Sequence, residues 1–229
     1  MFMKRPDVNS SHLLRSGAGN AAFNMALDEA LLEAAPSLGG PILRFYAWNE
    51  PAASFGYFQK FADVKRMTLL RPLVRRLTGG GLVPHDADWT YSLVFPPQHY
   101  WHRLKAAESY RRLHEWMGTA FARLNVAATL AAESQKEIPG QCFAGPEKAD
   151  LLWQGRKIAG AAQRRSRTGL LIQGSVQPPP ALDRSVWESA LCGTMEVEWK
   201  PLPDGLLPEE LARRLEREKY GLAAFNQKR

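Results

Sequence analysis

An α+β domain built on a central mixed or antiparallel sheet flanked by helices is predicted by three observations. Short strand-like runs cluster between Ile42 and Phe95. A long helical segment, Ala106 to Leu124, carries one apolar stripe of Tyr110, Leu113, Met117, Phe121 and Leu124. A three-stranded meander pattern then runs from Leu151 to Val176. With 229 residues the chain fits one domain, expected over 19–229, with 1–18 as a loose N-terminal tail.

The elements follow in order. Phe23, Leu27, Leu31 and Ala34 recur at helical spacing from Asn20 to Ala35, with Asn20 as a cap and Pro36 and the Gly39-Gly40-Pro41 cluster as the expected stop. Strands are predicted at Ile42 to Ala47 and Ala53 to Tyr57, separated by a turn at Trp48 to Pro51. A short helix is expected at Asp63 to Met67. Pro72 to Arg76, Gly81 to His85 and Thr90 to Phe95 read as three further strands. After the long helix, Val126 to Leu130 reads as a strand and Ala131 to Gly140 as polar loop. Leu151 to Trp153, Lys157 to Gln163 and Thr168 to Val176 form the meander, with turns at Gln154-Gly155 and Arg164 to Arg167. Pro178-Pro179-Pro180 ends it, and Leu182 to Leu191 and Pro208 to Tyr220 are predicted helices.

Hydrophobic residues make up 45% of the chain and charged residues 23%, the balance of a folded, water-exposed protein. No apolar run approaches the ~20 residues of a membrane span, so no membrane partner is expected. Met1 to Ser11 lacks the apolar core of a secretory signal. Cys142 and Cys192 are too few and too far apart for a disulfide framework or a metal site. A reducing cytoplasm, a monomer and no metal are the corresponding expectations. The net charge of +7 favours acidic partners. Nucleic acid is a remote candidate, because the arginines are not interleaved with aromatics in a recognised binding pattern.

Chemistry concentrates in three places. Val74-Arg75-Arg76-Leu77-Thr78-Gly79-Gly80-Gly81 ends in three glycines, which let a ligand lie against the backbone, with Arg75 and Arg76 at hand for negative charge. It is neither a dinucleotide fingerprint nor a P-loop, and a hairpin turn is the plain alternative. His85-Asp86 follows, either a satisfied half-buried ring or part of a site. Cys142 lies in a loop rich in turn residues and is a better candidate nucleophile than Cys192, which sits in an apolar helical stretch. A thiolate there needs a nearby positive charge, and Gly155-Arg156-Lys157 supplies one. The strand Lys157-Ile158-Ala159-Gly160-Ala161-Ala162-Gln163 is rich in small residues, which leaves room for a linear acyl chain. The basic run Arg164-Arg165-Ser166-Arg167 reads as a solvated turn or a docking patch.

Four blocks together resemble the biotin and lipoate protein ligase family. These are Gly19 to Leu32; Leu43 to Pro51 with Ser54 to Gln59; Arg75 to Gly81 through His85-Asp86 and Tyr91-Ser92-Leu93; and Cys142-Phe143 with Pro146, then Gly155 to Gln163 and Gln173-Gly174-Ser175. Lys219-Tyr220 adds a fainter match. Within the family the blocks look most like the cysteine-dependent octanoyltransferases of the lipoate–protein ligase A type. The resemblance implies that family's ligase-like catalytic fold, and an octanoyl or lipoyl group moved from acyl carrier protein, through Cys142, to a lysine of lipoyl domains or of the glycine cleavage H protein. It implies Lys157 as a second catalytic residue. Arg75, Arg76, Thr78, Gly79, Gly80, Gly81, His85, Gly160, Ala161, Gln173 and Gly174 are the implied substrate-binding set. No cofactor is needed for transfer; an ATP-dependent lipoate–protein ligase, the alternative, uses ATP and magnesium. Two positions depart from the transferase pattern. Gly81 stands where Arg is common, which is closer to the ligases, and Gln173 stands where His is common. The short stretch after Ser175 lacks room for the additional C-terminal domain of many ligases, which favours transfer.

Overall fold

The computed structural model describes residues 11–135, 140, 145–195 and 197–228. Eleven strands and seven α-helices follow in the order β1 (Ser11–Gly19), α1 (Ala21–Leu38), β2 (Ile42–Trp48), β3 (Ala52–Phe55), α2 (Phe61–Met67), β4 (Leu73–Arg75), β5 (Val83–His85) and β6 (Trp89–Phe95). Next come α3 (Tyr100–Arg103), α4 (Ala106–Arg123), β7 (Thr129–Leu130), β8 (Leu151–Trp153), β9 (Arg156–Ser166) and β10 (Gly169–Val176). The chain closes with α5 (Arg184–Thr194), β11 (Trp199–Pro201), α6 (Glu209–Leu215), a π-helical turn Glu216–Tyr220 and α7 (Ala223–Asn226). Eight strands form one mixed sheet in the order β11-β1-β2-β6-β10-β9-β8-β7, and β4-β3-β5 form a second, smaller one.

The two faces of the large sheet are written in strand alternation. In β6, Trp89, Tyr91, Leu93 and Phe95 point to the core shared with Leu113, Met117 and Phe121 of α4 and Trp187 of α5. Val94 of the same strand packs under α1 and α6 with Ile42 and Leu171. Thr90 and Ser92 lie on that second face and are buried and polar. A polar inner face is costly unless every group finds a partner. It marks where the sheet has been built for something other than packing.

The α+β class and most elements match the sequence reading, and the departures have identifiable causes. Residues 11–18 are not a loose tail, because β1 pairs in parallel with both β2 and β11. Its sequence has no clean alternation, so only its two neighbours make it a strand. The first ten residues lie outside the described set. Pro36 does not stop α1, which runs on to Leu38 and ends at Gly39 with φ 77°. Burial of Ala35 and Leu38 holds that last turn, and the αL glycine closes it. β9 runs on to Ser166, so Arg164 and Arg165 lie on a strand rather than in a turn. Arg165 is turned inward, donating to the Leu104 carbonyl at 2.8 Å and to Ser109 Oγ at 2.9 Å.

Gly174 in β10 lies opposite Tyr91 of β6 and Ala161 of β9. A Cβ at Gly174 would meet the Tyr91 ring at 2.1 Å. The glycine admits the ring, so this position serves packing as well as the adjoining cavity. We expect Gly174→Ala to cost about 2 kcal/mol or more through overpacking. The measurement is the urea midpoint, which should fall with the m-value unchanged.

Candidate active site

The large and small sheets face each other across a cavity of about 940 Å³. That is near the upper end of ligand pockets, which run ~300–1,000 Å³, so there is room for an acyl chain and for more. Its inner end is lined by buried residues, among them Met25, Tyr46, Ser54, His85, Thr90 and Ser175. Its outer rim is made by exposed residues at the start of α4, including Lys105 and Arg111, and by Lys148. Lys157, Gly160, Ala161 and Ala162 form the wall between.

The glycine loop, Gly79-Gly80-Gly81, lines the cavity. Gly80 has φ 83°, which side-chain-bearing residues rarely adopt. A Cβ at Gly56 would lie 1.9 Å from the Gly80 carbonyl oxygen, so the turn after β3 must also be glycine for the loop to sit there. A Cβ at Gly79 would meet nothing within 4 Å, which identifies its open side as cavity. Arg76 braces the loop, donating to the carbonyls of Gly79 at 3.0 Å and Gly81 at 2.8 Å and to Ser54 Oγ at 2.8 Å. Thr78 donates to Gln173 Oε1 at 2.8 Å, and Gln173 Nε2 donates to Asp28 Oδ2 at 2.7 Å.

Of the predicted ligand contacts, Arg75 and Thr78 do not line the cavity and are corrected, whereas Arg76 does line it. Arg75 is fully buried and does not line the cavity. Its guanidinium donates to the carbonyls of Tyr57, Gln59 and Asn226 at 2.7, 2.8 and 2.9 Å. Arg76 lines the cavity, but it is committed to the loop's own carbonyls rather than held out for an anion. Both arginines satisfy backbone oxygens that burial would otherwise leave without donors. Thr78, also predicted as a contact, is buried and locks the loop to Gln173.

His85 lines the cavity as expected, with a different acidic partner. Its Nδ1 lies 2.9 Å from Asp88 Oδ2, whereas Asp86 is exposed. Its Nε2 lies 2.6 Å from Ser54 Oγ, and its ring stacks on Trp48 with centroids 3.9 Å apart. Asp88 also accepts from Ser175 Oγ at 2.6 Å.

Lys157 lines the cavity. Its Nζ is 2.7 Å from Asp150 Oδ2, with side-chain exposures of 5% and 0%. A Cβ at Gly160 would meet Lys157 Cε at 2.6 Å and Asp150 Oδ1 at 3.1 Å. The predicted room at Gly160 is thus taken up by the lysine stem, which must cross the strand to reach the cavity. Tyr110 hydrogen-bonds Asp150 Oδ1 and also accepts from the backbone N–H of Ala161 at 3.3 Å. Burial, and then the Asp150 charge, hold the Tyr110 hydroxyl protonated well above its ordinary range. A neutral phenol and the lysine ammonium share one carboxylate, a net-neutral cluster in which Lys157 and Tyr110 line the cavity.

Cys142 falls outside the described residues. Gly140 and Gly145, on either side of 141–144, both line the cavity. Gly140 is anchored through its carbonyl, which accepts from Gln59 Nε2 at 2.9 Å and from the backbone N–H of Leu82 at 2.7 Å. Cys192 is half-buried in α5, and burial raises its thiol to about 11, the property of an inert thiol.

Sequence reasoning missed Asp150, Asp88, Ser54, Tyr110 and the pair Asp28–Arg44. Asp28 left one signal, a carboxylate on the buried side of an apolar helix. Asp88 and Asp150 are near their partners His85 and Lys157 in sequence but carry no spacing that marks the pairing, and Ser54 and Tyr110 lie far from theirs.

A glycine loop and a lysine-bearing strand of small residues thus line one cavity of this fold. The chain belongs to the lipoyl protein ligase A/B catalytic domain family, whose model matches residues 20–184. It is 38% identical over 176 residues to a Bacillus subtilis protein named octanoyltransferase LipM, and 36% identical over 174 residues to the LipM of Halalkalibacterium halodurans. Each match covers 70% of this chain and 63% of the relative, so the chain spans under two thirds of these relatives' length. Its fold is similar to that of the T. acidophilum protein Ta0514 with bound lipoic acid, with TM-score 0.77 and 22% identity over 95% of this chain and 99% of that one. A lipoate-protein ligase A bound with ATP gives TM-score 0.74 and 22% identity over 96% and 98% of the two chains. No described helix is long and apolar enough to cross a membrane.

His114, buried beside this site, carries a pH dependence. Its Nδ1 bonds the Tyr110 carbonyl at 3.1 Å, and burial, then the Lys157 charge, lower it from 6.5 to about 3. A histidine that takes up its proton only after unfolding loses stability for the fold as pH drops below 6.5, until about pH 3. We expect His114→Leu to flatten the acid limb of a urea-midpoint-versus-pH curve in that window. Parallel curves for the two proteins would contradict this assignment.

Proposed function

We propose that this chain is an octanoyltransferase that moves an octanoyl or lipoyl group from acyl carrier protein through Cys142 to a lysine of a lipoyl domain or glycine cleavage H protein. The observation that carries the reading is the cavity wall itself. Lys157, the glycine loop and both described neighbours of the Cys142 segment line one and the same cavity. The name octanoyltransferase, borne by relatives up to 39% identical, supports the same reading.

The acyl tail enters toward the buried end, leaving its carbonyl near Lys157 and the rim. The Cys142 thiolate attacks the thioester carbonyl, and the developing oxyanion is stabilised by the Lys157 ammonium. Collapse breaks the donor's C–S bond, and the carrier thiol leaves with a proton. The neutral amine of the acceptor lysine then attacks the acyl-cysteine, forming an amide and returning the proton and the thiol to Cys142. Thioester exchange changes bond energy little, so the chemistry closes without ATP or another cofactor. The +7 charge suits acidic partners. Gly81, which gives a three-glycine loop, favours the ATP-dependent ligase as the second reading.

Incubation with octanoyl-carrier protein and a lipoyl domain, with and without ATP, tests the choice. Transfer without ATP and an octanoyl adduct lost in Cys142→Ala support the transferase. ATP-dependent release of pyrophosphate with free lipoate selects the ligase. Lys157→Met should lower kcat/KM by ~10²-fold or more. A removal of this kind also leaves the buried Asp150 without its countercharge, so a stability loss of about 3 kcal/mol should accompany it in a thermal melt.

A further inference from the structure

We propose that Tyr57, Phe58, Arg164 and Lys228 form the docking surface for the acidic domain that presents the acyl-accepting lysine. The inference rests on the transfer reading above and adds the surface that delivers the second substrate.

Tyr57 and Phe58 occupy the tip of a tight turn closed by the Gln59 N–H and the Gly56 carbonyl at 3.0 Å. The Phe58 side chain is 68% exposed and packs edge-on against Tyr57, with centroids 5.2 Å apart. Two cations from distant parts of the chain converge on the same ring. Arg164 of β9 has Cζ 5.9 Å from the Tyr57 centroid, and Lys228 has Nζ 4.0 Å from it. Both are exposed, and neither has a carboxylate partner among the described residues. The exposed Phe58, beside a Tyr57 ring that carries two cations matched by no acid among the described residues, is complementary to an acidic, partly apolar surface.

The patch is rigid before binding. The buried Arg75 guanidinium holds the carbonyls of Tyr57 and Gln59 on one side and that of Asn226 on the other. It thereby ties the turn to the segment that carries Lys228, and pre-ordering reduces the entropy lost on docking.

Position selects the acceptor over the donor. Gln59, next to Phe58, and Gln163, next to Arg164, both line the cavity. A lysine side chain reaches only a few ångströms from its domain, so its domain must touch the rim. A donor thioester on a long flexible arm sets no such demand.

The test is titration of the full chain with a lipoyl domain, together with steady-state transfer. Arg164→Glu with Lys228→Glu should weaken the Kd and raise the acceptor KM at least tenfold, and Phe58→Ala should weaken both several-fold. The rate of acyl-enzyme formation from octanoyl-coenzyme A should stay within twofold. Arg164→Lys with Lys228→Arg should bind like the parent. An acceptor Kd within twofold of the parent in the charge-reversed protein overturns the proposal. So does a rise confined to the KM of the carrier-borne donor. If no transfer occurs yet lipoyl-domain binding shows the predicted losses, the transfer reading fails and the docking surface stands.

Discussion

The Asp28 carboxylate and the Arg44 guanidinium meet at 2.6 Å with side-chain exposures of 0% and 1%. This ion pair joins α1 to β2, and its remaining bonds reach the rest of the fold. Ser92 of β6 donates to Asp28 at 2.6 Å, Tyr46 of β2 at 3.2 Å and Gln173 of β10 at 2.7 Å. Arg44 closes its own valences on the Asn24 carbonyl, Asn24 Oδ1 and Ser16 Oγ, each at 2.9 Å. A buried pair of this kind is tolerable because four hydrogen bonds converge on the Asp28 carboxylate and four of the five Arg44 N–H groups have partners. Through Gln173 and Thr78 the same network fixes the glycine loop, so loop geometry is inherited from the core rather than set locally.

That inheritance explains why the neutral Gln173 suits its position. The acceptor-only carboxylate of Asp28 takes the amide N–H, and the amide oxygen is then turned to the Thr78 hydroxyl. One side chain with a donor and an acceptor at fixed separation couples helix, sheet and loop. It does so through a side chain that does not itself titrate.

On the opposite wall, the small residues read as acyl space serve two purposes. Ala161 and Ala162 line the cavity, as that reading requires. Gly160 instead gives passage to Lys157 and brings it to Asp150, and Gly174 admits Tyr91. Small size in a strand signals that something approaches closely; it does not say whether the visitor is a ligand or another side chain. The paired arginines show the same ambiguity. Adjacent in sequence, they alternate across β4 and its end, so Arg75 reaches the C-terminal segment while Arg76 reaches the loop. His85 was legible as a site residue, and its partner was not, because Asp86 and Asp88 differ only in which way the turn after β5 points them.

Local pattern by itself determined the α+β class, the long stripe of α4, the meander of β8 to β10, the cap at Asn20 and the family-bearing blocks, because these rest on periodicity, capping and glycine chemistry within a few residues. Tertiary structure alone decided that β1 is a strand, that Pro36 sits inside a helix and that Asp150, not a neighbour in sequence, holds Lys157. The first two depend on pairing or burial between segments far apart in the chain, and the third on how the β8–β9 hairpin turns its side chains. Free energies of that kind arise only when the partners have been brought together, and no local spacing encodes them.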